Sequence, residues 1–163
     1  MISKREIESK LLYDELDNII QRSSFLIEEF QKLSVKIDKP LYLLVNLFQK
    51  KSKKSNCYSF KSLTEKLKQV SFLFYNFYNV NISKVPNKTK NYLEIYGEYL
   101  DSVLEAMELR TDFEKKYREL SINKSTMRDL QNIKILTKKI SLALHKCEEN
   151  SILVNEVVKE MHN

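Results

Sequence analysis

Residues 92–120 read YLEIYGEYLDSVLEAMELRTDFEKKYREL, and the apolar positions within them step alternately by four and three. They are Tyr92, Tyr96, Tyr99, Val103, Ala106, Phe113, Tyr117 and Leu120, interrupted only by Arg110. The same spacing runs through Leu12, Leu16, Ile19, Leu26, Phe30, Leu33 and Ile37, broken at Ser23. It returns from Thr126 to Met161 through Leu130, Ile133, Thr137, Ile140, Leu144, Cys147, Ser151, Val154 and Val158. An apolar seam repeating about every 3.5 residues stays on one face only if helices wrap around each other. The pattern therefore predicts an all-α domain over residues 1–163: three long, kinked, antiparallel helices in an elongated coiled-coil bundle.

Composition agrees. A chain of 163 residues with one Gly, two Pro and no Trp has few sites for tight turns, and 31% charged residues suits a solvated helical surface. Met1-Ile2-Ser3-Lys4-Arg5-Glu6 lacks the apolar stretch of a secretory signal, and no apolar run approaches the roughly 18 residues of a membrane span. Cys57 and Cys147 make no disulfide framework. A cytoplasmic location is expected, with Asn81, Asn87 and Asn123 unmodified despite their Asn-x-Ser/Thr context.

Along the chain, a first helix is predicted over about 3–50, restarting at Asp38-Lys39-Pro40. A polar connection follows at Lys50–Asn56. Ser59 or Ser62 then starts a second helix over 59–120, kinked near 81–90 around Pro86, and a third covers 125–162. Phe72, Phe74, Tyr75, Phe77 and Tyr78 make the middle helix apolar on nearly every side. A thin rod offers such a segment too few neighbours, so these five residues are expected to form a dimer interface.

Charge is uneven. Residues 50–92 carry ten basic side chains and one acid, Glu65, whereas 93–123 carry four basic and eight acidic. Four basic groups stand out: Lys50, Lys51, Lys53 and Lys54; Lys84, Lys88 and Lys90; Lys115, Lys116, Lys124 and Arg128; and Lys134, Lys138 and Lys139. The plain reading of each is a solvated surface. The functional reading is contact with an anionic membrane, where each cation contributes roughly 1 kcal/mol. Nucleic acid is not expected, because the aromatics lie in helix seams rather than interleaved with basic loops.

Catalytic patterns are missing. Gly97 alone cannot build a Gly-rich phosphate loop, and no Glu-x-x-His pair is present. His145 with Glu149 offers two ligands, too few for a metal. Glu28-Glu29 and Glu148-Glu149 are adjacent on helices, so their carboxylates diverge. No enzyme activity and no cofactor are expected. Arg110, a charge on a seam, is expected to specify register or partner at a cost in stability.

The stretch Tyr99–Tyr117 resembles the second helix of BAR domains of the sorting-nexin class, with a Tyr-Leu pair, a spaced apolar run, Arg110 and Tyr117 in the matching places. Arg118 stands where that family often has Glu, and Asn155–Met161 is similar to the end of its third helix. The resemblance implies a crescent-shaped homodimer or heterodimer with a related helical protein. Such a dimer binds curved anionic membrane through clustered Lys and Arg in endosomal or vesicle trafficking. The competing expectation is a helical scaffold or tether subunit whose partner is another coiled-coil protein.

Overall fold

The computed structural model describes residues 4–37, 59–122 and 127–162, with side chains over 9–34, 59–119 and 127–161. Four helices occupy nearly all of this: α1 (Lys4–Ile37), α2 (Phe60–Asn81), α3 (Asn87–Ile122) and α4 (Met127–His162). The described residues are thus all-α, as the periodicity predicts. The restart at Asp38–Pro40, the connection at Lys50–Asn56 and the turn around Lys124 lie outside the described residues.

The expected kinked helix over 59–120 is instead two helices joined by a reversal. α2 starts where Ser59 Oγ accepts the Ser62 N–H at 3.1 Å. It stops at Asn81, and the turn is closed by Ile82 N–H to the Tyr78 carbonyl at 2.9 Å and Lys84 N–H to the Asn81 carbonyl at 2.8 Å. Pro86 then precedes α3, its carbonyl accepting the Lys90 N–H at 2.9 Å. Proline lacks an N–H, so it suits a helix start and breaks a helix interior. The chain folds back, and α2 runs antiparallel to α3: Lys68 Nζ meets Glu108 at 2.6 Å, Tyr75 OH donates to Asp101 at 2.6 Å, and Tyr78 OH to Glu94 at 3.3 Å.

α3 is the central element. α4 packs antiparallel along it, with Asn150 Nδ2 donating to the Glu98 carbonyl at 3.2 Å. α1 runs parallel to α3 and packs mainly on α2. Ser23 Oγ lies 2.7 Å from Tyr96 OH, and the rings of Phe30 and Phe60 meet edge-on at 5.7 Å. Because helices flank α3 on several sides, it buries two adjacent stripes. The predicted seam is buried at Tyr96, Val103, Ala106 and Arg110, while Leu93, Leu100 and Met107 on the neighbouring stripe are fully enclosed.

On α4 the predicted seam is turned. Ile140 is buried and Cys147 and Val154 are partly so, but Leu130 and Thr137 face solvent. Leu136, Ala143 and Val157 take the buried flank instead. The rotation brings Leu136 and Ala143 inward in place of Thr137, while Leu144 and Ser151 of the predicted seam stay half-buried.

The aromatic cluster of α2 is also corrected. Phe74 and Phe77 are 0% and 3% exposed within a single chain, and only Phe72, at 66%, faces out. Tyr75 and Tyr78 are half-buried with their hydroxyls on α3 carboxylates. The reversal supplies the missing neighbours, so Phe74 and Phe77 are enclosed within one chain. Gly97 permits a close approach: a Cβ there would lie 3.2 Å from the Phe74 ring, and Tyr75 OH reaches the Gly97 carbonyl at 3.4 Å.

Burial on α3 ends at Arg110, and no described residue of α4 before Leu136 is buried. Near this level Thr64 of α2 contacts Thr111, with Oγ1 atoms 3.0 Å apart. Beyond it an α3–α4 arm continues for about 15 Å, its start still covered by the first turn of α2, where Phe60 and Leu63 are 2% and 0% exposed. Phe113 and Tyr117 stack there at 5.9 Å.

These placements set three measurable outcomes. In urea denaturation Phe74→Ala costs about 3–5 kcal/mol, whereas Phe72→Ala stays within about 0.5 kcal/mol; equal effects would contradict the intramolecular burial. Arg110, 7% exposed, removes a charge from water, so Arg110→Leu raises the melting temperature by a few degrees; an unchanged or lower value would show that the arginine is a net stabiliser. Burial also raises the hydroxyls of Tyr75, Tyr92, Tyr96 and Tyr99 above the ordinary 10.0. The folded state holds these phenols neutral while the unfolded chain ionises near 10, so this stabilisation is complete below about pH 10 and declines above it. Melting curves from about pH 8 to pH 11 show a fall above pH 10 that Tyr92→Phe blunts.

Candidate anionic-surface interface

Because Leu136, Ile140, Ala143 and Val157 turn toward α3, the opposite stripe of α4 is exposed. Residues seven apart share a position on a helix that supercoils with its neighbour. Arg128, Ile135 and Leu142 form one outward row and Gln131, Lys138 and His145 the next. Lys134 borders them on one side, and Lys139 and Lys146 on the other, all exposed. Ile135 and Leu142 are 54% and 71% exposed, so this basic face carries two apolar side chains standing in solvent.

The charge changes sign along the helix. Residues 127–146 hold five basic side chains and one acid, Asp129; residues 147–162 hold one basic and four acidic. The outward side of α3 is acidic, with Glu94, Glu98, Asp101, Glu105, Glu108 and Asp112 all exposed. On these two helices charge is therefore sorted by face and by half rather than spread evenly.

Of the basic residues singled out in the sequence, Arg128, Lys134, Lys138 and Lys139 come together on this face. Lys115 and Lys116 are exposed on the α3 side of the same arm, beside Arg118, which bonds Glu114 at 2.6 Å. Lys84, Lys88 and Lys90 are exposed but sit at the other end of the bundle, roughly 40 Å along α3 from Lys115. Lys84 bonds Asn81 at 3.1 Å, and Lys88 donates to the Glu160 carbonyl at 3.4 Å, near the negative end of α4. They do not extend the 115–139 surface. Lys50, Lys51, Lys53, Lys54 and Lys124 lie outside the described residues.

Sequence reasoning missed Ile135, Leu142 and Lys146. The row Arg128, Ile135, Leu142 has heptad spacing and was visible, but apolar residues on both sides of α4 hid which row faced out. Among the described residues no group of three or more His, Cys, Asp or Glu is placed to hold a metal ion, and no helix is long and apolar enough to cross a membrane. No protein-family model, curated protein or solved structure matches the chain.

Proposed function

We propose that the protein is a non-enzymatic helical module that binds an anionic membrane surface peripherally, through the outer face of α4 between Arg128 and Lys146 and the adjoining α3 arm. The observation that carries this is the joint exposure of Ile135 and Leu142 among Arg128, Lys134, Lys138, Lys139 and Lys146. A helix face with cations around a few apolar side chains gains both from lipid headgroup charge and from shallow apolar burial. This keeps the anionic partner implied by the BAR resemblance and gives up its continuous second helix, since α2 reverses onto α3. A second reading, a scaffold for another helical chain, is favoured by Phe25 and Phe72, 52% and 66% exposed on the α1–α2 side.

Liposome flotation tests the membrane contact. Binding is expected to vesicles containing anionic lipid, not to neutral ones, and to vanish near 1 M salt, where the screening length is about 3 Å. Replacing Lys134, Lys138 and Lys139 together by Gln weakens binding by about 3 kcal/mol, or roughly 150-fold. Wild-type affinity in that variant would move the contact off α4, and indifference to lipid charge would leave the scaffold reading.

A further inference from the structure

The outer side of the α1–α2 pair holds a groove made of two adjoining depressions of about 380 and 490 Å³, with Arg22 and Gln69 lining both. Its floor includes the buried Leu26 and Val70, and Phe25, Phe72 and Leu73 stand along it at 52%, 66% and 40% exposure. Arg22, Lys66 and Lys68 supply its charge, and among the described residues no carboxylate lines either depression. Lys68 is already held by Glu108 at 2.6 Å, so the groove favours an anionic occupant chiefly through Arg22. An occupant must bring apolar side chains for the phenylalanines and acids for the rim.

One described surface has both. On the second half of α4, Glu149, Ile152, Leu153 and Glu156 follow i, i+3, i+4, i+7 spacing and so share one face. Ile152 and Leu153 are 58% and 44% exposed, with an exposed glutamate on either side along the helix. That is the layout of a helix that lies in a groove. Groove and acidic face are both open within one chain, so neither covers the other.

We propose that the α1–α2 groove takes the Glu149–Glu156 face of α4 from a second copy of the chain. Ile152 and Leu153 would cover Phe25 and Phe72, and the glutamates would face Arg22. The two patches differ, so the contact is heterologous, and a joined pair keeps a free α4 face on one copy and a free groove on the other for further neighbours unless a ring closes. The basic first half of α4 stays outside it, so the inference is independent of membrane binding.

Sedimentation of the intact chain without lipid tests it. The wild type should gain mass with concentration. Arg22→Glu with Phe72→Glu destroys the groove, and Glu149→Lys with Glu156→Lys destroys the α4 face. All four positions are exposed, so the helical circular dichroism should be kept. Each double variant should associate at least about tenfold more weakly alone. Mixed together they should form a dimer that grows no further, the intact groove of one receiving the intact face of the other. A wild type that stays monomeric, variants that associate like the wild type, or a mixture that stays monomeric would overturn the proposal.

Discussion

Phe74 packs against α3 at Gly97, where even a methyl group would press on its ring at 3.2 Å. This close approach between antiparallel α2 and α3 is the contact on which the remaining arrangement depends. It encloses Leu63, Leu67 and Phe74 against Leu93, Leu100 and Met107, all 0% exposed. Burial of each such side chain contributes on the order of 1.5–3 kcal/mol. The paired α2 and α3 then offer the surface on which α1 rests, with Ser23 and Tyr96 satisfying each other in the interior at 2.7 Å. Ser23 Oγ also donates to the Ile19 carbonyl at 3.0 Å, so the pair chiefly gives the buried Tyr96 hydroxyl a partner and offsets its desolvation cost.

The short α2 also creates the arm. Its first turn, Phe60–Leu63, lies just past the level of Thr64 and Thr111, and no described residue of α3 past Arg110 is buried. Arg110 sits at this boundary, where the apolar seam passes from an enclosed core to a half-solvated one. The arm and the adjoining part of α4 carry most of the exposed basic side chains of the described second half of the chain, which is why the membrane reading rests there.

Charge follows the faces of the bundle in a way that the totals conceal. The acids of α3 face out in one row, partly engaged by Lys68, Tyr75 and Tyr78 from α2. α4 divides into a basic first half and an acidic second half. One helix can therefore serve an anionic surface at one end and a cationic groove at the other, because opposite charges separated by several turns are screened from each other in water.

Heptad spacing by itself determined that the chain is helical, which residues of α1 face inward, and that Tyr96, Val103 and Ala106 belong to a core. Backbone periodicity is local, and seven-residue rows can be read directly. Pro86 marked an interruption but not its angle, since a proline near a helix start fits a kink and a reversal equally well. Only the tertiary structure decided that α2 folds back on α3, burying Phe74 and Phe77 inside one chain and leaving Phe72 outside. It alone set the rotation of α4 that brings Leu136 and Ala143 in and exposes Ile135 and Leu142 among the lysines. The physical reason is the same for both. A helix with apolar residues on more than one side has several acceptable phases, and the neighbours that choose among them lie far away in sequence.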